Sequence, residues 1–131
     1  MFLETSAIVE FIAEGPQAPA VAERIEHSTT SFFYSPTVLF EATSVISSRL
    51  RLPVKVANEL VVAFVRSLQA TQMPITAVVG ELAIDALAQY GKGRGHPAQL
   101  NFGDCFSYAC AKTADVPLLY VGDDFAKTDL A

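Results

Sequence analysis

The sequence predicts an α/β fold in which a mostly parallel sheet is covered by helices on both faces. Three observations point there. Short apolar or aromatic runs alternate with longer stretches of helical period, giving the order strand–helix–helix–strand–helix–helix–strand–helix–helix–strand. Strands separated by helices favour parallel pairing. The 131 residues are 51% hydrophobic, enough for one core and too few for two ordinary domains, so a single domain over residues 1–131 is expected.

Each element has a local reason. The run MFL (residues 1–3) reads as a strand ended by Glu4, and TSAIVEFIAE (5–14) as a helix with Thr5 or Ser6 as its cap. GPQAP breaks that helix, and AVAERIEHS (20–28) forms the next, with Val21 and Ile25 turned inward. SFFYS (31–35) is a short aromatic strand. In SPTVLFEATSVISSRL (35–50), Ser35 caps, Pro36 takes the first helical position, and Val38, Ala42, Val45 and Ile46 form an apolar stripe. A helix follows through residues 53–70, then a strand at MPIT (73–76) and a helix at 77–91, stopped by GKGRGHP. The last helix starts at Phe102 behind the cap candidate Asn101, VPLLYV (116–121) is the final strand, and GDDF turns out of it.

Composition excludes several function classes. A net charge of −5 argues against a chain that coats nucleic acid by bulk attraction, yet leaves open a nuclease whose clustered carboxylates are offset by cations. No stretch reaches the length of a membrane span, and no basic region precedes an apolar run at the N-terminus. Cys105 and Cys110 are the only cysteines and read as small buried residues. That usage fits a reducing compartment, and a cytoplasmic location is expected. His27 reads as a helix-end residue. Neither it nor His96 lies near an obvious nucleophile, which disfavours a Ser-His-Asp hydrolase.

The acids carry the chemistry. Ligand sites in parallel sheets lie outside the carboxyl ends of the strands, where Glu4 and the pair Asp123–Asp124 fall. Asp104 lies in the first turn of its helix. Glu41 shares a helix face with Val38 and Val45, where a lone carboxylate is costly to bury. Each has an ordinary alternative: a solvated turn for Glu4 and for Asp123–Asp124, capping for Asp104, an ion pair or a solvated edge for Glu41. If they cluster, they repel one another unless a cation compensates, and an all-oxygen site suits Mg²⁺ or Mn²⁺. Lys92, Arg94 and His96 crowd the loop before the Asp104 helix. That loop is either a phosphate contact or a helix stop with solvated charges. Arg49 and Arg51, at the end of the Glu41 helix, share that ambiguity or pair with a partner protein.

Four segments, FLETSAIVEFI, SPTVLFEA, YGKGRGHPAQLNFGDCFSYACAK and PLLYVGDDFAKTDL, occur in the order found in PIN-domain ribonucleases. The chain resembles the toxins of VapBC-type toxin–antitoxin pairs, over essentially its whole length. The resemblance implies a three-layer α/β/α sandwich and a Mg²⁺- or Mn²⁺-dependent endoribonuclease. Glu4, Asp104 and Asp124 would hold the metal, and Glu41 would ligate it or orient water. Asp123, Thr5 and Ser6 would be helpers, and Lys92 or Arg94 would position RNA. A cognate antitoxin and a homodimer are implied in the same way. One departure stands out: the family's first acid is an aspartate in a DTSA run, and here the run is ETSA. The longer arm of Glu4 motivates an alternative reading, a catalytically weakened PIN domain that binds protein or RNA.

Overall fold

The computed structural model describes residues 1–131. Its elements are β1 (Phe2–Leu3), α1 (Thr5–Ile12), α2 (Ala18–Glu26), β2 (Phe33–Tyr34), α3 (Pro36–Leu50), α4 (Val54–Ser67), β3 (Thr71–Gln72), α5 (Ala77–Tyr90), α6 (Phe102–Ala114) and β4 (Leu118–Leu119). A 3₁₀ turn at Phe125–Lys127 follows. The strands form one parallel sheet in the order β3-β2-β1-β4. Phe2 pairs with both Phe33 and Leu118, and Leu3 with Leu119. Helices flank this sheet: α1 packs on α2, α3 and α4, α5 pairs with α6, and α3 also meets α6. The result is the expected three-layer sandwich.

Burial explains why the sheet persists although each strand is two residues long. Phe2, Leu3 and Leu119 are fully buried together with Ile8 of α1, Ile46 of α3, and Val61 and Val65 of α4. Side chains of this size each contribute about 1.5–3 kcal/mol when removed from water. Parallel strands covered on both faces are apolar throughout, as β1 and β4 are.

The helix ends follow the sequence closely. Ser35 Oγ accepts the Val38 N–H at 3.2 Å, with Pro36 behind it, and Thr76 caps α5 in the same way. Three local expectations give way. The third strand is Thr71–Gln72 rather than residues 73–76: Thr71 N–H donates to Phe32 O and Met73 N–H to Tyr34 O, whereas Pro74 has no N–H to continue the ladder. The preceding helix stops at Ser67, because Gln69 turns the chain with φ 53°. At the start of α1 the capping residue is Glu4 itself, not Thr5 or Ser6. Strand β1 ends at Leu3, so Glu4 takes the extended backbone that a cap requires.

Candidate active site

Each acid is delivered by a different device. Glu4 leaves the C-terminal end of β1 and is buried, 3% exposed. Its Oε2 accepts the Ser6 N–H at 2.7 Å and the Ser6 hydroxyl as well. The Ser6 oxygen in turn accepts the Val121 N–H at 2.9 Å, tying the exit of β4 to the start of α1. That bond diverts Val121 from the ladder, and β4 is correspondingly shorter than the sequence suggests.

Asp104 is the third residue of α6 in a reciprocal capping box. Asn101 Oδ1 accepts the Asp104 N–H at 2.9 Å, and Asp104 Oδ2 accepts the Asn101 N–H at 3.0 Å. This leaves Asp104 buried with an oxygen to spare. Glu41 projects from the middle of α3 and extends its carboxylate over Gly103 of α6. Asp124 follows β4, and the buried ring of Phe125 anchors the turn that carries it.

Glu4, Thr5, Ser6, Glu41, Asp104 and Asp124 line one cavity of about 330 Å³, together with Glu10, Arg49 and Asn101. Asp123 is not part of its wall. Lys92 lines a neighbouring hollow beside Phe102 and Phe106, and Arg94 is exposed on the loop outside both. Cys105 and Cys110 are buried free thiols, and His27 ends α2 with its ring against Glu23 O.

Glu10 is the residue that sequence reasoning missed. It is buried, and its Oε1 accepts the Gln17 N–H at 2.7 Å. A β-carbon on Gly15 would fall 2.3 Å from the same oxygen, so the α1–α2 turn closes directly over this carboxylate. The available signal was its place one helical turn after Ser6.

The electrostatics reflect the crowding. Burial pushes the Glu4 carboxyl up to about 7; the Ser6 hydrogen bonds oppose this, and the nearby Asp104 and Glu41 charges add to it. Burial likewise raises Asp104 to about 6, against its bond from Asn101, with the Asp124 and Glu41 charges adding to the rise. Each carboxylate thus stands in the field of others, and no carboxylate of the cavity forms an ion pair.

Residues 1–130 match the family described as PIN domain. A VapC ribonuclease of Rhizobium meliloti is 39% identical over 140 residues, covering 98% of each chain. The ribonuclease VapC42 of Mycobacterium tuberculosis is 34% identical over 131 residues, covering 99% of this chain and 96% of the relative. The chain belongs to the VapC family of PIN-domain toxins. Among solved structures, Mycobacterium tuberculosis VapC20, titled a Sarcin-Ricin loop cleaving toxin, matches this PIN domain with a TM-score of 0.75. At 19% identity over 95% of this chain and 92% of that one, the likeness concerns the fold. Membership in the VapC family implies a toxin and nuclease role in general, of the hydrolase class.

The side chains of this VapC-family cavity fit a metal ion in chemistry rather than in their present spacing. As they stand, no three Asp, Glu, His or Cys side chains are drawn close enough to hold one between them. The donor chemistry nevertheless suits a hard cation: the cavity offers carboxylate oxygens, and burial, with a smaller contribution from neighbouring charges, disfavours the bare ionised form of Glu4 and Asp104. The Thr5 hydroxyl is the one buried side-chain oxygen in the protein without a hydrogen-bond partner, and it faces the same cavity. A buried hydroxyl left unsatisfied is costly and marks a place for a further ligand or water.

Proposed function

We propose that this chain is a Mg²⁺- or Mn²⁺-dependent endoribonuclease, the toxin of a type II toxin–antitoxin pair. The observation that carries the reading is the gathering of Glu4, Glu41, Asp104 and Asp124 with the unpartnered Thr5 hydroxyl in one cavity at the carboxyl ends of β1 and β4. Glu4, Asp104 and Asp124 would hold the metal, with Asp123 beside them on the exposed turn. A divalent ion there supplies Lewis acidity toward a phosphoryl oxygen and toward water.

The protein's own groups do the rest. Ser6 holds Glu4 in place through its N–H and its hydroxyl. Asn101 fixes Asp104. Glu41, at the end of a flexible arm over Gly103, orients the attacking water and accepts its proton. Lys92 and Arg94, outside the cavity, meet the RNA backbone away from the cleaved bond. Phe40, Ile84 and Phe102 are 78%, 66% and 76% exposed, leaving apolar surface for a second copy and a cognate antitoxin.

The test incubates the purified chain, freed of partner, with single-stranded and structured RNA, with Mg²⁺ or Mn²⁺ and with EDTA. Cleavage that depends on the metal is expected; its absence under every metal condition removes the reading. The specific engagement of Glu4 as a helix cap favours one second reading, a weakened enzyme that serves as a binding module. Under that reading Glu4→Asp raises both metal affinity and cleavage rate. Under the first it leaves them unchanged or lowers them.

A further inference from the structure

The geometry points to Arg49 as a phosphate-binding residue of the RNA site, a role that rests on the endoribonuclease reading above. Glu41, Val45 and Arg49 follow one another at intervals of four along α3, and all three line the acidic cavity. Residues so spaced share a helix face, so the helix that supplies Glu41 also supplies the cavity's single cation.

No carboxylate claims that cation. The only ion pair in the protein joins Lys112 to Asp129, neither of which lines the cavity, and the Arg49 side chain makes no hydrogen bond to any protein group. The guanidinium is solvent-exposed, so an incoming chain can reach it without displacing another element. The cavity wall otherwise carries five carboxylates, Glu4, Glu10, Glu41, Asp104 and Asp124. A polyanion approaching that wall is repelled unless a positive group receives one of its phosphates. Arginine is suited to this: its planar fork meets a phosphate with two parallel N–H bonds and stays charged at any working pH. Lys92 and Arg94 lie outside this cavity and cannot substitute for it.

The experiment measures binding apart from cleavage. A fluorescein-labelled single-stranded oligoribonucleotide is titrated with the full chain by anisotropy in Ca²⁺, over a range of salt, for wild type, Arg49→Ala, Arg49→Lys and Arg66→Ala. Arg66 is an exposed cation of α4 and lies outside the cavity. Arg49→Ala is expected to weaken binding about fivefold to tenfold and to flatten the dependence of log K on log salt by about 0.7, the value of one single-strand phosphate contact. Arg49→Lys should restore the slope but only part of the affinity, because lysine offers the charge without the fork. Arg66→Ala should change neither quantity.

Wild-type affinity and slope in Arg49→Ala overturn the assignment. So does unchanged RNA binding with a shifted urea midpoint in EDTA, which would make Arg49 an internal counter-ion to the acids. A wild-type chain that binds the oligonucleotide through Arg49 but cuts no RNA in Mg²⁺ or Mn²⁺ removes the nuclease reading and leaves this contact standing. A chain that neither binds nor cuts removes both.

Discussion

The Glu41 carboxylate occupies the space that a side chain on Gly103 would need. A β-carbon at position 103 would lie 2.5 Å from Glu41 Oε2 and 2.9 Å from Oε1, and the nearest obstacle is the end of a flexible side chain rather than backbone. Two helices thus meet at a glycine so that a carboxylate from one can lie across the first turn of the other.

Gly103→Ala therefore separates folding from activity. The added methyl displaces the Glu41 carboxylate, while the helix gains propensity of up to about 1 kcal/mol. Urea unfolding should show equal or greater stability. Metal-dependent RNA cleavage should fall by about tenfold to a hundredfold, the scale of a misplaced catalytic group. Full activity in this variant would show that the position of Glu41 does not matter to the reaction.

Asp104 has two duties that substitution can divide. Asp104→Asn keeps an oxygen to accept the Asn101 N–H and removes a buried charge, so at about pH 8 the metal-free chain should be as stable or more stable, while cleavage is lost with the charge. Asp104→Ala removes the reciprocal bond as well and should be about 1 kcal/mol less stable than Asp104→Asn. Comparing the two urea midpoints isolates the capping contribution. Cleavage surviving in Asp104→Asn would place the chemistry elsewhere.

The acidic cavity gives the metal-free chain a characteristic pH dependence. Glu4 and Asp104 have folded-state pKa values raised to about 7 and about 6. For a raised carboxyl the folded chain holds its proton more tightly than the unfolded chain. The resulting stability is full below the unfolded value near pH 4 and lost as pH rises through the folded values. In EDTA the chain should be more stable at about pH 5 than at about pH 8, by on the order of 2 kcal/mol. Added Mn²⁺ should flatten or reverse that slope, since it binds the deprotonated carboxylates. A level profile in EDTA would mean that neither burial nor mutual repulsion disfavours the charged carboxylates in the folded chain.

Ser6 is predicted to matter structurally as well as chemically. Ser6→Ala removes a hydrogen bond to Glu4 and strands the Val121 N–H. The expected cost is about 1–2 kcal/mol in urea unfolding, with the pH dependence of the metal-free chain shifted further upward because a stabiliser of the charged Glu4 is gone. Unchanged stability would indicate that water replaces both bonds.

How much of this was legible in the sequence depends on how local each determinant is. Ser35–Pro36 and Asn101 act within a few residues, and α3 and α6 begin where those signals place them. The third strand was misplaced because Met73–Thr76 carries the apolar residues, while the pairing register belongs to Thr71 and Gln72, polar residues on an exposed edge with little pattern of their own. The four acids could be chosen from their places at strand ends and on an apolar helix face, but not brought together. Glu10 offered only its spacing from Ser6. Its burial depends on the turn at Gly15 closing above it; GPQAP announces a turn there, but not that the turn folds back over the carboxylate.

The pairing of β1 with β4 has a consequence for the order in which such a protein acquires its properties. Phe2 and Leu3 find half of their ladder only in Leu118 and Leu119, and the cavity wall draws on Glu4 beyond β1 and on Asp124 beyond β4, positions far apart along the chain. Until β4 has been synthesised Glu4 and Asp124 cannot meet, whatever helices have formed before it. The wall of acids is complete only once β4 has docked beside β1. A fragment that stops before β4 carries Glu4, Glu41 and Asp104 but lacks Asp124 and the strand that sets it beside them.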